Sequence, residues 1–544
     1  MTVAPPERSR EGRAAALLAG IVTLAIGLAI VDSLPVGVFY DDAMYVVLAK
    51  ALATGHGYHW LNIPGAPAAT HFPPGYPALL AVIWRAFPTF PANVLAFKVV
   101  NAVLLAIVAA SMVTFIRRRF GLSPVAAALI SIAGCIAIPA LVLSSLVLSE
   151  PLFLATLIPI LIFAERVVEG ERRMRDLVWL GLLVGAATLI RTHGMALVGG
   201  AVVALVLRPP QSAASVSGAS ALSSRVRDAG VVALCAIVVM IPWQLWVHAN
   251  QGLVPEPMRG LYESYMSWMS RGVKDGGLSL LLQTMSRTSL EAAGTFATIA
   301  SPLISGWSRV LTVIALALLL IAGVRRTWRD APVTTLFLAA YVAIVIAWPY
   351  TPARFIWGVW PLFVLVLVLG AIEIKSWAPR LPHTEAARVL LLACSLFVAV
   401  GYGRYNFRGY RGHWWSNIAR TQAEHLRPVV MWARARTRPS DVLASSADPA
   451  VYLYSGRLAV PATAFTARDY FRPATVVESQ TALRQILAAY HIDAVVVVSD
   501  SVRAAAQTMA SGSHPELVLR DSMPSGLVFA PVQSPSLSQH PAHQ

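Results

Sequence analysis

Residues 39–45 read Phe39-Tyr40-Asp41-Asp42-Ala43-Met44-Tyr45, two adjacent carboxylates a few residues beyond an apolar run from Ala14 to Val31. Acids at a membrane face are expensive to hold near hydrocarbon, so they mark a pathway or a reactive site more often than spare surface. Reading outward from them, the chain is 57% hydrophobic and 13% charged over 544 residues, with a mean hydropathy of +0.64. A soluble globule carries about 25% charge. The composition therefore implies a polytopic membrane bundle and excludes an ordinary soluble enzyme.

About eleven apolar runs approach the length needed to cross a bilayer. They fall near residues 14–32, 94–116, 123–143, 151–167, 177–190, 194–207, 229–248, 308–324, 332–349, 355–373 and 387–403. With the N-terminus in the cytoplasm, every cytoplasmic turn is basic: Arg117 to Arg119, Arg172, Arg173 and Arg175, Arg208 with Arg225 and Arg227, Arg325, Arg326 and Arg329, then Lys375, Arg380 and Arg388. Residues 177–207 fit either one long helix or two short ones meeting at Arg191-Thr192-His193-Gly194. Only two short spans keep the later arginines on the basic side. The net charge of +16 is thus explained by topology, and no continuous basic face points to nucleic acid. Arg8, Arg10 and Arg13 before the first run read as an uncleaved signal anchor. Cys135, Cys235 and Cys394 all lie in apolar runs, with neither disulfide nor metal spacing.

The expected organisation is an all-α membrane domain over residues 1–403, with a first outer loop at about 33–93 and a later one at about 249–307, and a small α/β domain over 404–544 on the same outer side. Pro209 to Ser224 reads as a linker and Gln533 to Gln544 as a disordered tail. In the second domain Asp441 to Ser445 and Asp493 to Val498 read as strands, Val477 to Tyr490 as an amphipathic helix, and Trp414 to Arg436 as an interfacial or connecting helix. The apolar segment Ala78 to Phe87 is too short to span and is expected to lie in the interface. There is no P-loop and no dinucleotide fingerprint.

The outer side collects the chemistry: Asp41-Asp42, then His71-Phe72-Pro73-Pro74-Gly75-Tyr76-Pro77, then Ser149-Glu150-Pro151, Arg191 and His193, and Tyr350-Thr351-Pro352-Ala353-Arg354. This ordered set resembles the GT-C glycosyltransferases, and within them the protein O-mannosyltransferases and the aminoarabinose transferase of lipid A. The resemblance implies transfer of a sugar from a polyprenyl-phosphate donor to an acceptor outside the cytoplasmic membrane, whether protein, lipid or cell-wall glycan. Two departures, Asp-Asp where Asp-Glu is common and no large β-trefoil insertion, argue against protein mannosylation.

The residue chemistry agrees with that implication. Attack of a hydroxyl on an anomeric carbon requires a carboxylate as base, and the departing phosphate requires cations. Asp41, Asp42 and Glu150 are the candidate catalytic acids, with a divalent cation possible and no cofactor certain. Arg191 and Arg354 are candidates for the donor phosphate because a guanidinium matches phosphate oxygens in bidentate fashion. His71, His193 and Tyr350 are secondary. Plainer roles also fit: the acid pair as a helix cap, Glu150-Pro151 as the start of a span, Arg191 as a snorkelling arginine and Arg354 as an interfacial anchor. His56 and His59 have metal-compatible spacing but no third ligand nearby. The alternative function is a secondary transporter of a polar solute or lipid-linked precursor, with the Arg191 break as its best feature. A noncatalytic scaffold leaves the outer acids unexplained. The second domain is expected to select the acceptor.

Overall fold

A computed structural model describes residues 6–209, 219–377, 384–511 and 513–532 of the chain. All the apolar runs expected to span are helical. Among the described residues five helices are long and apolar enough to cross a membrane, or six if Pro124–Cys135 and Ile138–Ser145, bent by 57°, count as one broken span. Thr192–Leu207, Pro332–Ala347 and Trp360–Ile374 are apolar but shorter. All three border the turns that carry Arg191 or Arg354. The protein is a multi-pass membrane protein.

The helices pack at close quarters where small residues allow it. Pro6–Ala29 lies on Asn93–Phe120, where a Cβ on Gly27 would stand 3.0 Å from that of Ala102. The basic turns gather at one end of the bundle. Arg119 donates to Glu169 and to the Asp330 carbonyl, Arg172 donates to the Leu205 carbonyl at 2.9 Å, and Arg326 and Arg329 each lie 3.6 Å from Glu373. Glu169 closes a helix that Glu150 opens, so about 30 Å separates this basic end from Glu150.

At the other end, residues 33–93 fold back on themselves, with helices Asp41–Ala53 and Gly75–Ala86 packed together. The stretch 249–307, read from sequence as a loop, differs from that expectation. It contains the helix Tyr265–Ala300, kinked at Gly277 (φ 62°, ψ −165°), a backbone that glycine adopts without a Cβ clash. Its mixed polar and apolar composition hid it from a hydropathy reading. The linker also begins its helix early: Ala219–Asn250 is continuous, while residues 210–218, Arg380 and the tail at 533–544 lie outside the described residues.

The helix Thr384–Arg411 runs through residue 404 and is followed by Trp414–Arg436, after which the α/β fold begins. Its strands are β1 (Val442–Ser445), β2 (Leu458–Val460), β3 (Ala494–Val497), β4 (Leu517–Met523) and β5 (Gly526–Pro531), in the order β2-β1-β3-β5-β4. β1 pairs in parallel with both β2 and β3, and the antiparallel β4–β5 hairpin closes one edge. The fully buried Ala494 to Val497 run sits at the centre. One apolar core joins this domain to the first loop: Trp60 and Phe72 of the loop share it with Leu443, Val495 and Phe529.

Candidate functional site

Two helix starts and two chain breaks meet at the end of the bundle opposite the basic turns. Asp41 opens the helix Asp41–Ala53 and Glu150 opens Glu150–Glu169, with Pro151 in its first turn. Helix N-termini favour negative charge, so both acids lie where the backbone field holds a carboxylate. Arg191 occupies the extended residue between two short helices, and Arg354 the helical turn Ala353–Trp357. The Arg191 break is therefore real, and the single long helix is not formed.

These four side chains form one network. Arg354 donates through Nη1 to Asp41 Oδ2 at 2.7 Å and through Nε to Glu150 Oε1 at 2.8 Å. Arg191 Nη1 lies 2.9 Å from the same Glu150 oxygen and donates to Ser149 Oγ at 2.8 Å. Glu150 thus holds both arginines through one oxygen, and its Oε2 is buried with no partner among the described residues. Glu150 is 1% exposed whereas Asp41 is 25% exposed. Only the second faces an opening. That opening is a cavity of about 480 Å³ lined by Asp41, Tyr45, His71, Arg191, His193, Tyr350 and Arg354 together with apolar side chains such as Met44, Ile190, Met195, Ile344 and Phe465.

Asp42 differs from Asp41 in every respect. It is fully buried and outside the cavity lining, and its carboxylate accepts from the backbone N–H groups of Gly37, Val38 and Phe39 at 2.8, 3.0 and 3.0 Å. Its lone pairs fold the entry loop, a cap-like role. Burial pushes its pKa above the ordinary value against the lowering effect of those three bonds. The acid pair expected to act together is split by helix geometry, since adjacent residues at a helix start point about 100° apart.

The secondary candidates line the cavity. His71 Nδ1 donates to the Glu263 carbonyl at 2.5 Å, and its ring meets Tyr265 at 4.2 Å between centroids. Burial holds its pKa below the usual histidine value, which leaves it neutral near pH 7. His193 stacks on Phe355, and Tyr350 packs against Trp268 and Phe465. The proline-rich turn serves the arginine break: Gly75 N–H donates to the Leu189 carbonyl at 2.7 Å, a spot where a Cβ would clash with that oxygen.

Four contributors escaped the sequence reading. Ser149 binds Arg191 and approaches the Tyr45 hydroxyl at 3.2 Å, and both lie inside quoted motifs whose acids drew attention first. Tyr265 and Trp268 come from the segment taken as loop. Among the described residues no three His, Cys, Asp or Glu side chains are grouped to hold a metal. The donor set does not fit a divalent cation either, because Asp41 and Glu150 are already bonded to guanidinium groups.

No family model and no curated protein matches this sequence. Solved structures do. ArnT from Cupriavidus metallidurans bound to undecaprenyl phosphate superposes with a TM-score of 0.55 at 13% identity, over 96% of this chain and 99% of that one. The chain has a GT-C fold. The apo form of the same ArnT gives 0.54 at 14% identity, over 95% and 97%, and the oligosaccharyltransferase AglB from Archaeoglobus fulgidus gives 0.49 at 13% identity, over 89% and 69%. The fold resemblance read from the ordered motifs is matched by ArnT over 95–96% of this chain.

Proposed function

We propose that this protein is an integral membrane glycosyltransferase that moves a sugar from a polyprenyl-phosphate donor to an acceptor outside the cytoplasmic membrane. The observation that carries the reading is the solvent-reachable Asp41 carboxylate beside two arginines at the mouth of an apolar-lined cavity. The basic turns at the far end match the cytoplasmic side, which leaves the cavity outside. An ArnT of the same fold is described with undecaprenyl phosphate bound.

In this reading Asp41 takes the proton of the acceptor hydroxyl as its oxygen bonds to the anomeric carbon, and the bond from that carbon to the phosphate oxygen breaks with its electrons on the phosphate. Charge balance favours the step. Asp41, Glu150, Arg191 and Arg354 sum to zero at rest; protonation of Asp41 releases one positive charge when the leaving phosphate gains one negative charge. Arg354 then passes from Asp41 to the phosphate, while Glu150 keeps both guanidinium groups in place. The apolar wall formed by Ile190, Met195 and Ile344 suits a prenyl chain.

The test is turnover of synthetic undecaprenyl-phosphate pentoses and hexoses by the purified protein in nanodiscs supplied with cell-envelope extract as acceptor, followed by mass spectrometry of the lipid. Wild type should release undecaprenyl phosphate and Asp41→Asn should not. Equal release by both proteins would remove the assignment.

A further inference from the structure

Tyr40, between the entry loop and Asp41, has φ 66° and ψ −54°, and the Asp41 N–H donates to the Phe39 carbonyl at 2.7 Å. Together these define a γ-turn of the rare, positive-φ kind, a strained arrangement for a residue with a side chain. Such a turn persists only where its surroundings impose it. Here it sorts three consecutive side chains. Phe39 lies under the Arg354 guanidinium at 5.6 Å, Asp41 accepts from the same guanidinium, and Tyr40 points to the C-terminal domain, donating to Asp448 Oδ1 at 2.6 Å.

Asp448 is itself fixed. It is fully buried and follows the short loop that leaves β1, at the strand ends where α/β domains hold their ligands. Its second oxygen accepts from the Tyr262 hydroxyl and, at 3.1 Å, from Asn62 Nδ2. Asn62 in turn is tied to Ala459 of β2 through both its side chain and its main-chain carbonyl. The place of a ligand is thus taken by the entry loop of the membrane domain. Gly37 makes the fit possible, with φ 103° and a would-be Cβ only 2.7 Å from Ala450.

We infer that Asp448 is a positioning residue for the transfer reaction: through the Tyr40 hydroxyl it imposes the γ-turn that aims Asp41 at Arg354 and the cavity. The C-terminal domain is then part of the catalytic geometry and not only a neighbour of it. This rests on the glycosyltransferase reading for its effect on rate, but the coupling itself is observable without activity.

The experiment compares full-length wild type, Tyr40→Phe, Asp448→Ala, Asp448→Asn and Lys50→Met in nanodiscs. Two measurements are made: transfer from undecaprenyl-phosphate sugars, and amide hydrogen exchange across residues 36–45. Tyr40→Phe and Asp448→Ala should lower kcat by about 10- to 100-fold, the cost of a small misplacement of a reacting group, with donor KM unchanged and faster exchange confined to that segment. Asp448→Asn keeps an oxygen for the Tyr40 hydroxyl and should restore most of the rate. Lys50→Met removes a different docking contact, Lys50 Nζ to the Tyr452 hydroxyl at 3.0 Å, and should leave kcat unchanged. Tyr40→Phe preserves the other bonds of Asp448, so it decides the matter even if Asp448→Ala fails to fold. Wild-type kcat and wild-type exchange in Tyr40→Phe overturn the inference. Should wild type transfer no sugar at all, the functional reading falls, and exchange alone decides the coupling.

Discussion

Two buried carboxylate clusters lie on either side of Tyr40 and use the same residue type to opposite ends. At the cavity, Asp41 and Glu150 face arginines and the charges cancel. Beneath it, the Asp448 carboxylate accepts from hydroxyl and amide donors of Tyr40, Tyr262 and Asn62, and burial raises its pKa to about 7. The partner, not the acid, decides the role. Guanidinium groups balance a carboxylate's charge, whereas phenols and an amide hold one by direction and leave its charge costly.

The comparison breaks most visibly at Asp41. Replacing it by Asn should cost about 10²- to 10⁴-fold in transfer rate, the usual worth of a positioned base, with the fold intact by circular dichroism. Asp42→Asn should act instead through stability of the entry loop; equal rate losses with unchanged melting in both variants would erase the distinction between the acids. Next comes Glu150→Gln, which leaves buried Arg191 without its counter-charge and Arg354 with Asp41 alone, and should destabilise the protein by about 3–5 kcal/mol. Thermal unfolding in nanodiscs measures it, and an unchanged midpoint would show that the arginines find other partners. Arg191→Lys should be milder, weakening undecaprenyl phosphate binding about tenfold as a planar fork becomes a point charge, read by native mass spectrometry. An unchanged affinity would assign the phosphate to Arg354 alone.

The smallest expected effect belongs to the second cluster. A carboxyl with a native pKa of about 7, above its unfolded value near 4, contributes in full at low pH and loses that contribution as pH rises through about 7. Tyr40 and Tyr262, the titratable groups facing it, are held well above their ordinary value by burial and stay neutral throughout. The melting temperature should therefore drop by a few degrees between about pH 5 and about pH 8, and Asp448→Asn should flatten that slope. A slope that survives in the variant belongs to another group.

Much of the first cluster was legible in the sequence because Glu150, Arg191 and Arg354 each interrupt or border an apolar run, where a charge is conspicuous. The parity of the basic turns even placed the break at Arg191. Asp41 could not be told from Asp42 by composition, since what separates them is a rotation at a helix start. The second cluster was hidden for another reason. Tyr40 and Asp448 are 408 residues apart, and neither tyrosine nor an isolated Asp in a soluble segment carries a local signal. Likewise β1, β3 and the helix Val476–Ala489 announced themselves by buried runs or amphipathic spacing, but β4 is mostly solvent-facing and its pattern is weak.

The span of 408 residues between Tyr40 and Asp448 also sets an order of events during biosynthesis. At about 5–20 residues per second, a ribosome that has released the Asp41 segment works for a further 20–80 seconds, roughly, before the other half of the clasp emerges. Until then the acid-bearing turn lacks its Asp448 anchor, so if the proposed coupling holds, a nascent or truncated chain carries Asp41 without its alignment until the last domain has folded.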